Sequence, residues 1–173
     1  DGASNLEELH LKTKNYILRR KKEECLDMPE KNIIPVYQQL DKAGWAGYNE
    51  LWDEYMLERK KKKKRGEPEK DLVELGLLRK YIAMQGIKYT IEMVENMLEY
   101  GEKVIIFTTY TEELLELQGH FGKLCVTHYG GMNQTAKQKS VDDFQNNPDK
   151  KVFIGNIVSA GVGITLTEAT NVV

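Results

Sequence analysis

Apolar positions along the chain change their period once, near Gly101. Before that glycine they recur with helical spacing. Leu51, Trp52, Tyr55 and Met56 form one stripe within Asp41 to Arg59. Leu72, Leu75, Leu78, Tyr81 and Ile82, then Ile91, Val94, Met97 and Leu98, form a second within Asp71 to Tyr100, interrupted near Gly86. The second stretch predicts two helices or one kinked helix. Beyond Gly101, Val104 to Thr109 is a continuous apolar, β-branched run, as expected of a strand covered on both faces. Leu124 to His128 and Lys151 to Asn156 read as further strands, and Asn171-Val172-Val173 as the opening of another buried one. Helices fit the segment through Leu114, Leu115 and Leu117, stopping at Gly122, and about Gln134 to Gln145. Strands alternating with helices predict βαβ units, so the expected class is α/β, a parallel sheet with flanking helices.

Polar punctuation divides the rest. Ser4-Asn5-Leu6-Glu7 and Thr109 to Glu112 have the form of capping boxes, each opening a helix. Pro29 and Pro35 bracket Lys31 to Ile34, so the first helix is expected to end before Pro29 and the chain to run extended into Val36 to Leu40. Lys60 to Arg65 is six consecutive cations, followed by Gly-Glu-Pro-Glu-Lys. Like charges resist burial and repel one another into an extended, solvated form, so residues 58 to 70 read as a mobile insertion or hinge, the alternative for Lys60 to Arg65 being a phosphate-contacting element. The resulting division is 1–40, 41–70 and 71–173.

Composition narrows the function classes. A hydrophobic fraction of 40% supports a packed core, while 25 basic and 27 acidic residues leave a net charge of −2, so any polyanion site must be local. Cys25 and Cys125 belong to no Cys-x-x-Cys or Cys/His cluster, which argues against zinc and for a reducing compartment. No apolar run approaches the ~18 residues of a membrane span.

Parallel sheets bind ligands at the carboxyl ends of their strands. Thr108 to Thr111, Tyr129 to Asn133 and Asn156 to Thr167 each follow a predicted strand, gathering Gly, Ser, Thr and Asn on one edge. Gly161-Val162-Gly163 is not a dinucleotide fingerprint: it follows a late strand and has Leu166 where a third glycine belongs. A Walker loop is absent. His10, His120 and His128 lack a neighbouring nucleophile or ligand motif and read as polar surface or strand-end residues; Trp45 and Trp52 read as helix anchors. Arg19-Arg20-Lys21-Lys22 follows apolar Tyr16-Ile17-Leu18, and two adjacent arginines cannot both face a core. They are expected to pair with acids or phosphate at a domain junction.

Three segments together resemble the second RecA-like lobe of Swi/Snf-type DNA translocases, a branch of the superfamily-two helicases. Leu18-Arg19-Arg20-Lys21 with Asp27-Met28-Pro29-Glu30-Lys31 is similar to the segment that leaves the first lobe and braces the second. Lys103 to Phe121 resembles the motif IV strand and its helix. In the third segment, Gly130, Gln138, Val141 and Phe144 match, with Lys137 where the family usually has arginine. Ser159, Gly161, Gly163, Leu166, Thr167 and Ala169 fit motif V, with Thr165 in place of a frequent asparagine.

The resemblance implies an incomplete RecA-like lobe, stopping before motif VI and preceded by an inter-lobe brace (1–40) and a helical insertion with the basic hinge (41–70). It implies nucleic-acid contacts by Thr108, Thr109, Gly130, Lys137, Asn156 and Thr165, and an ATP-cleft coupling loop at Ser159, Gly161 and Gly163. Arg19 and Arg20 would serve the brace. The parent would hydrolyse ATP with Mg²⁺ and act on double-stranded DNA. This piece alone would bind neither cofactor nor metal and carry no catalytic residue, needing the first RecA-like lobe of the same chain as its partner. The expected location is intracellular, cytoplasmic in a bacterium or nuclear. Two other readings compete: an α/β scaffold whose helical region, Asp41 to Tyr100, docks a protein, and a small-molecule transferase, for which the sequence supplies no acid, base or nucleophile. Clustering of the three strand-end loops on one face favours the translocase; their dispersal favours the scaffold.

Overall fold

The computed structural model describes residues 4–18, 20, 25, 31–65 and 72–173. The chain forms two compact units, Asp1–Tyr37 and Gln38–Val173.

In the first unit, helix α1 spans Leu6–Thr13 and buries none of its residues. The capping box expected at Ser4 does not form. Asn5 takes the N-cap place with a left-handed φ of 59° and no side-chain cap bond. The helix is held by its own neighbours instead: Lys12 pairs with Glu8 at 2.7 Å, and the Thr13 hydroxyl donates to the Leu9 carbonyl at 2.8 Å.

The second unit opens with an antiparallel helical hairpin, α2 (Lys42–Arg65) and α3 (Leu72–Glu99). Asp41 starts α2 by accepting the Gly44 amide at 2.8 Å; that bond, and then Lys88 at 3.0 Å, holds its carboxyl below the usual range. The Tyr81 hydroxyl donates to the Gly44 carbonyl at 3.1 Å, and a Cβ on Gly47 would collide with that same hydroxyl. Glycine there lets the two helices approach. Farther along, Tyr55 and Leu78 are 7% and 4% exposed and form the hairpin's apolar seam.

One expectation changes here. Lys60 to Arg65 is helical rather than an extended hinge, because lysine is a good helix former and the segment continues a helix already anchored at Tyr55. Of the two forms expected around Gly86 the single helix is found: α3 is one helix of 28 residues. Its Ile87 and Val94 lie in the core, and burial outweighs the ~1 kcal/mol propensity cost of a helical glycine.

After Gly101, whose φ of 80° suits only glycine, come β1 (Val104–Thr108), α4 (Thr111–Phe121), β2 (Cys125–His128), α5 (Gln134–Asn146), β3 (Val152–Asn156), the short α6 (Ile157–Ala160) and β4 (Asn171–Val172). The sheet order is β2-β3-β1-β4, with every pairing parallel. Alternate strand residues enter opposite cores. Val104, Ile106, Val152 and Ile154 pack with Ile87 and Val94 of α3 and Leu114, Leu117 and Phe121 of α4. Ile105, Val126 and Phe153 face Phe144 of α5 and Ala160 of α6. Helices therefore cover both faces, as the alternation of elements predicts. β4 differs from expectation: it pairs with β1, yet lies at the sheet's edge with Val172 exposed.

Candidate nucleic-acid interface

The carboxyl edge of the sheet is assembled around Asn156. Its backbone is in register with Thr108 on the adjacent strand. Its side-chain nitrogen donates to the Thr109 carbonyl at 3.0 Å, and its oxygen accepts the Val158 amide at 3.1 Å, capping α6. One amide thus ties the end of β1 to the start of the loop after β3. Both ends of that amide are engaged within the protein, so Asn156 organises the edge.

Thr109 is exposed, and its amide donates to Glu113 at 3.3 Å. The expected Thr109–Glu112 box is therefore displaced by one residue: Glu112 turns instead to Lys80 at 2.6 Å, and Tyr110 takes the N-cap place. Burial pushes the Glu113 carboxyl up, against the lowering effect of the Tyr110 and Thr109 backbone bonds. Thr108 is placed differently from Thr109. It sits on a central strand between β3 and β4, is 2% exposed, and its hydroxyl has no partner among the described residues. The Ser159 hydroxyl is likewise buried without a partner.

β2 brings His128 to the same edge, opposite Gly155 of β3. Its Nδ1 lies 3.2 Å from the Ser140 hydroxyl, which donates to the Lys137 carbonyl at 2.7 Å, and its ring centroid is 5.9 Å from that of Phe153. Burial, and then the charge of Lys137, lower the His128 pKa; the backbones of Ser159 and Lys137 act in the opposite sense. The imidazole therefore joins the end of β2 to α5 through Ser140. Gly130 is exposed in the turn beyond β2, and Asn133 caps α5 by accepting the Ala136 amide at 2.8 Å. This places half-buried Lys137 in the first turn of α5.

The glycine loop follows α6. Gly161, Val162 and Gly163 are exposed, and Gly163 has a φ of 81°. A Cβ on Gly161 would overlap the Ile157 carbonyl, so the close turn requires glycine. Ile164, Leu166 and Ala169 pack against the second core, while Thr165 is exposed. The far end is clamped by Gln145, which donates to the Thr167 hydroxyl at 2.9 Å and accepts the Glu168 amide at 3.1 Å. The loop is fixed at both ends, by Asn156 and Gln145, and open in the middle.

The structure thus brings Thr109, Gly130, Lys137, Asn156, Ser159, Gly161, Gly163 and Thr165 onto elements that meet at one edge. Arg20 is exposed in the first unit, and Arg19 lies outside the described residues. Gln145, Glu113 and the His128–Ser140 pair were not singled out by sequence, since no local motif marks them. Exposed hydroxyls and glycine amides with Lys137 nearby suit phosphate oxygens, which such groups hold without reading bases. Among the described residues, no group of three or more His, Cys, Asp or Glu could hold a metal ion, and no helix is long and apolar enough to cross a membrane.

Comparison with known proteins adds the family. The helicase conserved C-terminal domain matches residues 87–173. The human DNA annealing helicase and endonuclease ZRANB3 is 27% identical over 186 residues, which take in 99% of this chain, and its mouse counterpart is 28% identical over 180 residues. The chain spans 16% of the length of these relatives. The solved Sulfolobus solfataricus SWI2/SNF2 ATPase core in complex with dsDNA matches with a TM-score of 0.68 at 24% identity, covering 96% of this chain and 40% of that one. The C-terminal domain of a Sulfolobus solfataricus SWI2/SNF2 ATPase gives a TM-score of 0.66 at 22% identity, covering 79% of this chain and 68% of that one. At these identities the structures share the fold.

Proposed function

The chain belongs to the helicase conserved C-terminal domain family, and from that premise we propose that it serves as the second RecA-like lobe of an intracellular, Swi/Snf-like, ATP-dependent DNA translocase or helicase. The observation that carries this reading is the convergence of the strand-end segments on one edge, locked by the 3.0 Å bond from Asn156 to the Thr109 carbonyl. Thr109, Gly130 and Thr165, with Lys137 beside them, offer donors to the backbone of double-stranded DNA. Asn156 and Thr108 support them from within. The Ser159 to Gly163 segment adjoins these donors and would face the ATP cleft, so that a shift there reaches both.

ATP supplies the free energy of stepping. Its phosphates and Mg²⁺ would be held chiefly by a first RecA-like lobe, and this chain's residues would couple lobe closure to the grip on DNA. Clustered strand-end loops favour this reading over an α/β scaffold that merely carries a helical docking module.

The test is ATP hydrolysis by the full-length protein with and without duplex DNA. Stimulation of about tenfold or more, equivalent to ~1.4 kcal/mol of barrier, is expected. An ATPase indifferent to DNA would contradict the assignment.

A further inference from the structure

The cationic end of α2 has a definite position relative to the strand-end loops. Because α2 and α3 run antiparallel, with Tyr81 at Gly44 and Lys88 at Asp41, the C-terminal end of α2 lies toward the start of α3. The start of α3 adjoins the carboxyl edge of the sheet. The Tyr110 hydroxyl donates to the Gly76 carbonyl at 3.4 Å, and Lys80 pairs with Glu112 at 2.6 Å. Tyr110 directly follows Thr109, and Glu112 lies in the first turn of α4. Tyr55 packs near Leu77 and Leu78 around one small cavity. At ~1.5 Å per residue, Lys60 and Lys64 then stand about 8 and 14 Å beyond Tyr55 along the axis of α2, at the end of the hairpin nearer that edge.

The lysines are also sorted by face. Leu57, Lys60, Lys61 and Lys64 recur at i, i+3, i+4 and i+7, and with Lys63 they line a shallow surface concavity. The packed side of the same helix carries Leu51, Glu54, Tyr55 and Glu58 against Leu77 and Leu78. Lys60, Lys61, Lys63 and Lys64 are exposed; Glu58 pairs with Lys61 at 2.6 Å, and among the described residues no carboxylate pairs with Lys60, Lys63 or Lys64. In a chain of net charge −2, this is a dense local cationic face on a helix anchored at its base.

We propose that the Lys60, Lys61, Lys63 and Lys64 face of α2 is an outlying phosphate-contacting element that extends the strand-end interface along a DNA duplex. The inference rests on the functional reading above. Duplex DNA carries one negative charge per ~1.7 Å of axis, so a rigid run of cations over about 6 Å matches it in sign and density. Contacts of this kind position a duplex and carry no sequence information.

The test uses the full-length protein and a blunt duplex of mixed sequence, with binding measured across a salt series. The variant Lys60→Gln/Lys61→Gln/Lys63→Gln/Lys64→Gln keeps good helix formers, and Lys60→Arg/Lys61→Arg/Lys63→Arg/Lys64→Arg keeps the charge. The glutamine variant is expected to lower the slope of log K against log salt by about 2 to 4, near 0.9 per lost contact, and to weaken binding at low salt by about tenfold or more. DNA-stimulated turnover at saturating DNA is expected to stay within about twofold of wild type, and the arginine variant to bind like wild type. An unchanged slope in the glutamine variant, beside a wild type that binds duplex, overturns this inference and leaves the functional reading standing; an acidic protein would then be the ligand to try on this face. A wild type that binds no duplex overturns both.

Discussion

Asn156 donates to the Thr109 carbonyl at 3.0 Å while accepting the Val158 amide at 3.1 Å, so one side chain holds together the ends of two parallel strands and the turn after them. Asn156→Ala removes a helix cap and a cross-strand bond, with an expected cost of about 1 to 2 kcal/mol in thermal or denaturant unfolding. Asn156→Asp keeps the cap acceptor but sets a carboxylate against the Thr109 carbonyl. It is expected to lose as much stability as the alanine variant, with the ends of β1 and β3 loosened in hydrogen exchange.

Gln145 acts at the other end of the loop, through Thr167 and Glu168. In Gln145→Ala, amide exchange across residues 161–170 is expected to rise by about tenfold, the equivalent of ~1.4 kcal/mol of local opening. Exchange in the core strands is expected to stay unchanged. Uniform acceleration across the sheet would mean that the residue supports the whole fold and has no special hold on the loop.

Two glycines should fail differently. Gly163 has a φ of 81° and nothing within 4 Å of an added Cβ, so Gly163→Ala is expected to cost about 1 kcal/mol of backbone strain and leave the core intact. Gly155 is buried in β3, and an added Cβ would stand 2.7 Å from that of Ala160. Gly155→Ala is expected to cost about 1 to 3 kcal/mol by overpacking, with chemical-shift changes spreading to Phe153 and α6.

His128 sets a pH dependence whose sign follows from its depressed pKa, caused first by burial and then by Lys137. Above the unfolded value of ~6.5 the group is neutral in both states and contributes no slope. As pH falls below it, the unfolded chain takes up the proton first, so stability declines until the folded pKa is passed and the loss levels off. Unfolding free energies measured downward from pH ~7 should show that decline in wild type and a flatter curve in His128→Asn.

The parallel sheet was legible because its strands are buried on both faces and therefore appear as short, largely apolar runs without polar alternation, as at Val104 to Phe107 and Val152 to Ile154. The meeting of their carboxyl ends follows from parallel topology, which is why the segments after β1, β2 and β3 are expected on one edge. The lysine run was not legible as helix. A count of like charges registers repulsion, but not the Tyr55–Leu78 seam that has already fixed the helix before the run begins. Glu113 in place of Glu112 reflects a start of α4 set by Tyr110, beyond the reach of a spacing rule. Gln145 meets Thr167 only through tertiary folding, and no local pattern announces such a pair.

The most direct test of the coupling role is ATP hydrolysis against duplex DNA concentration by the full-length protein, comparing wild type, Gly163→Ala and Thr109→Ala/Thr165→Ala. Thr109, Gly163 and Thr165 are exposed, so the variants are expected to stay folded. Coupling through this edge requires basal hydrolysis within about twofold of wild type and DNA stimulation reduced by about tenfold or more in both variants. Stimulation equal to wild type in both would mean that the Gly161 to Gly163 segment is a turn and nothing more.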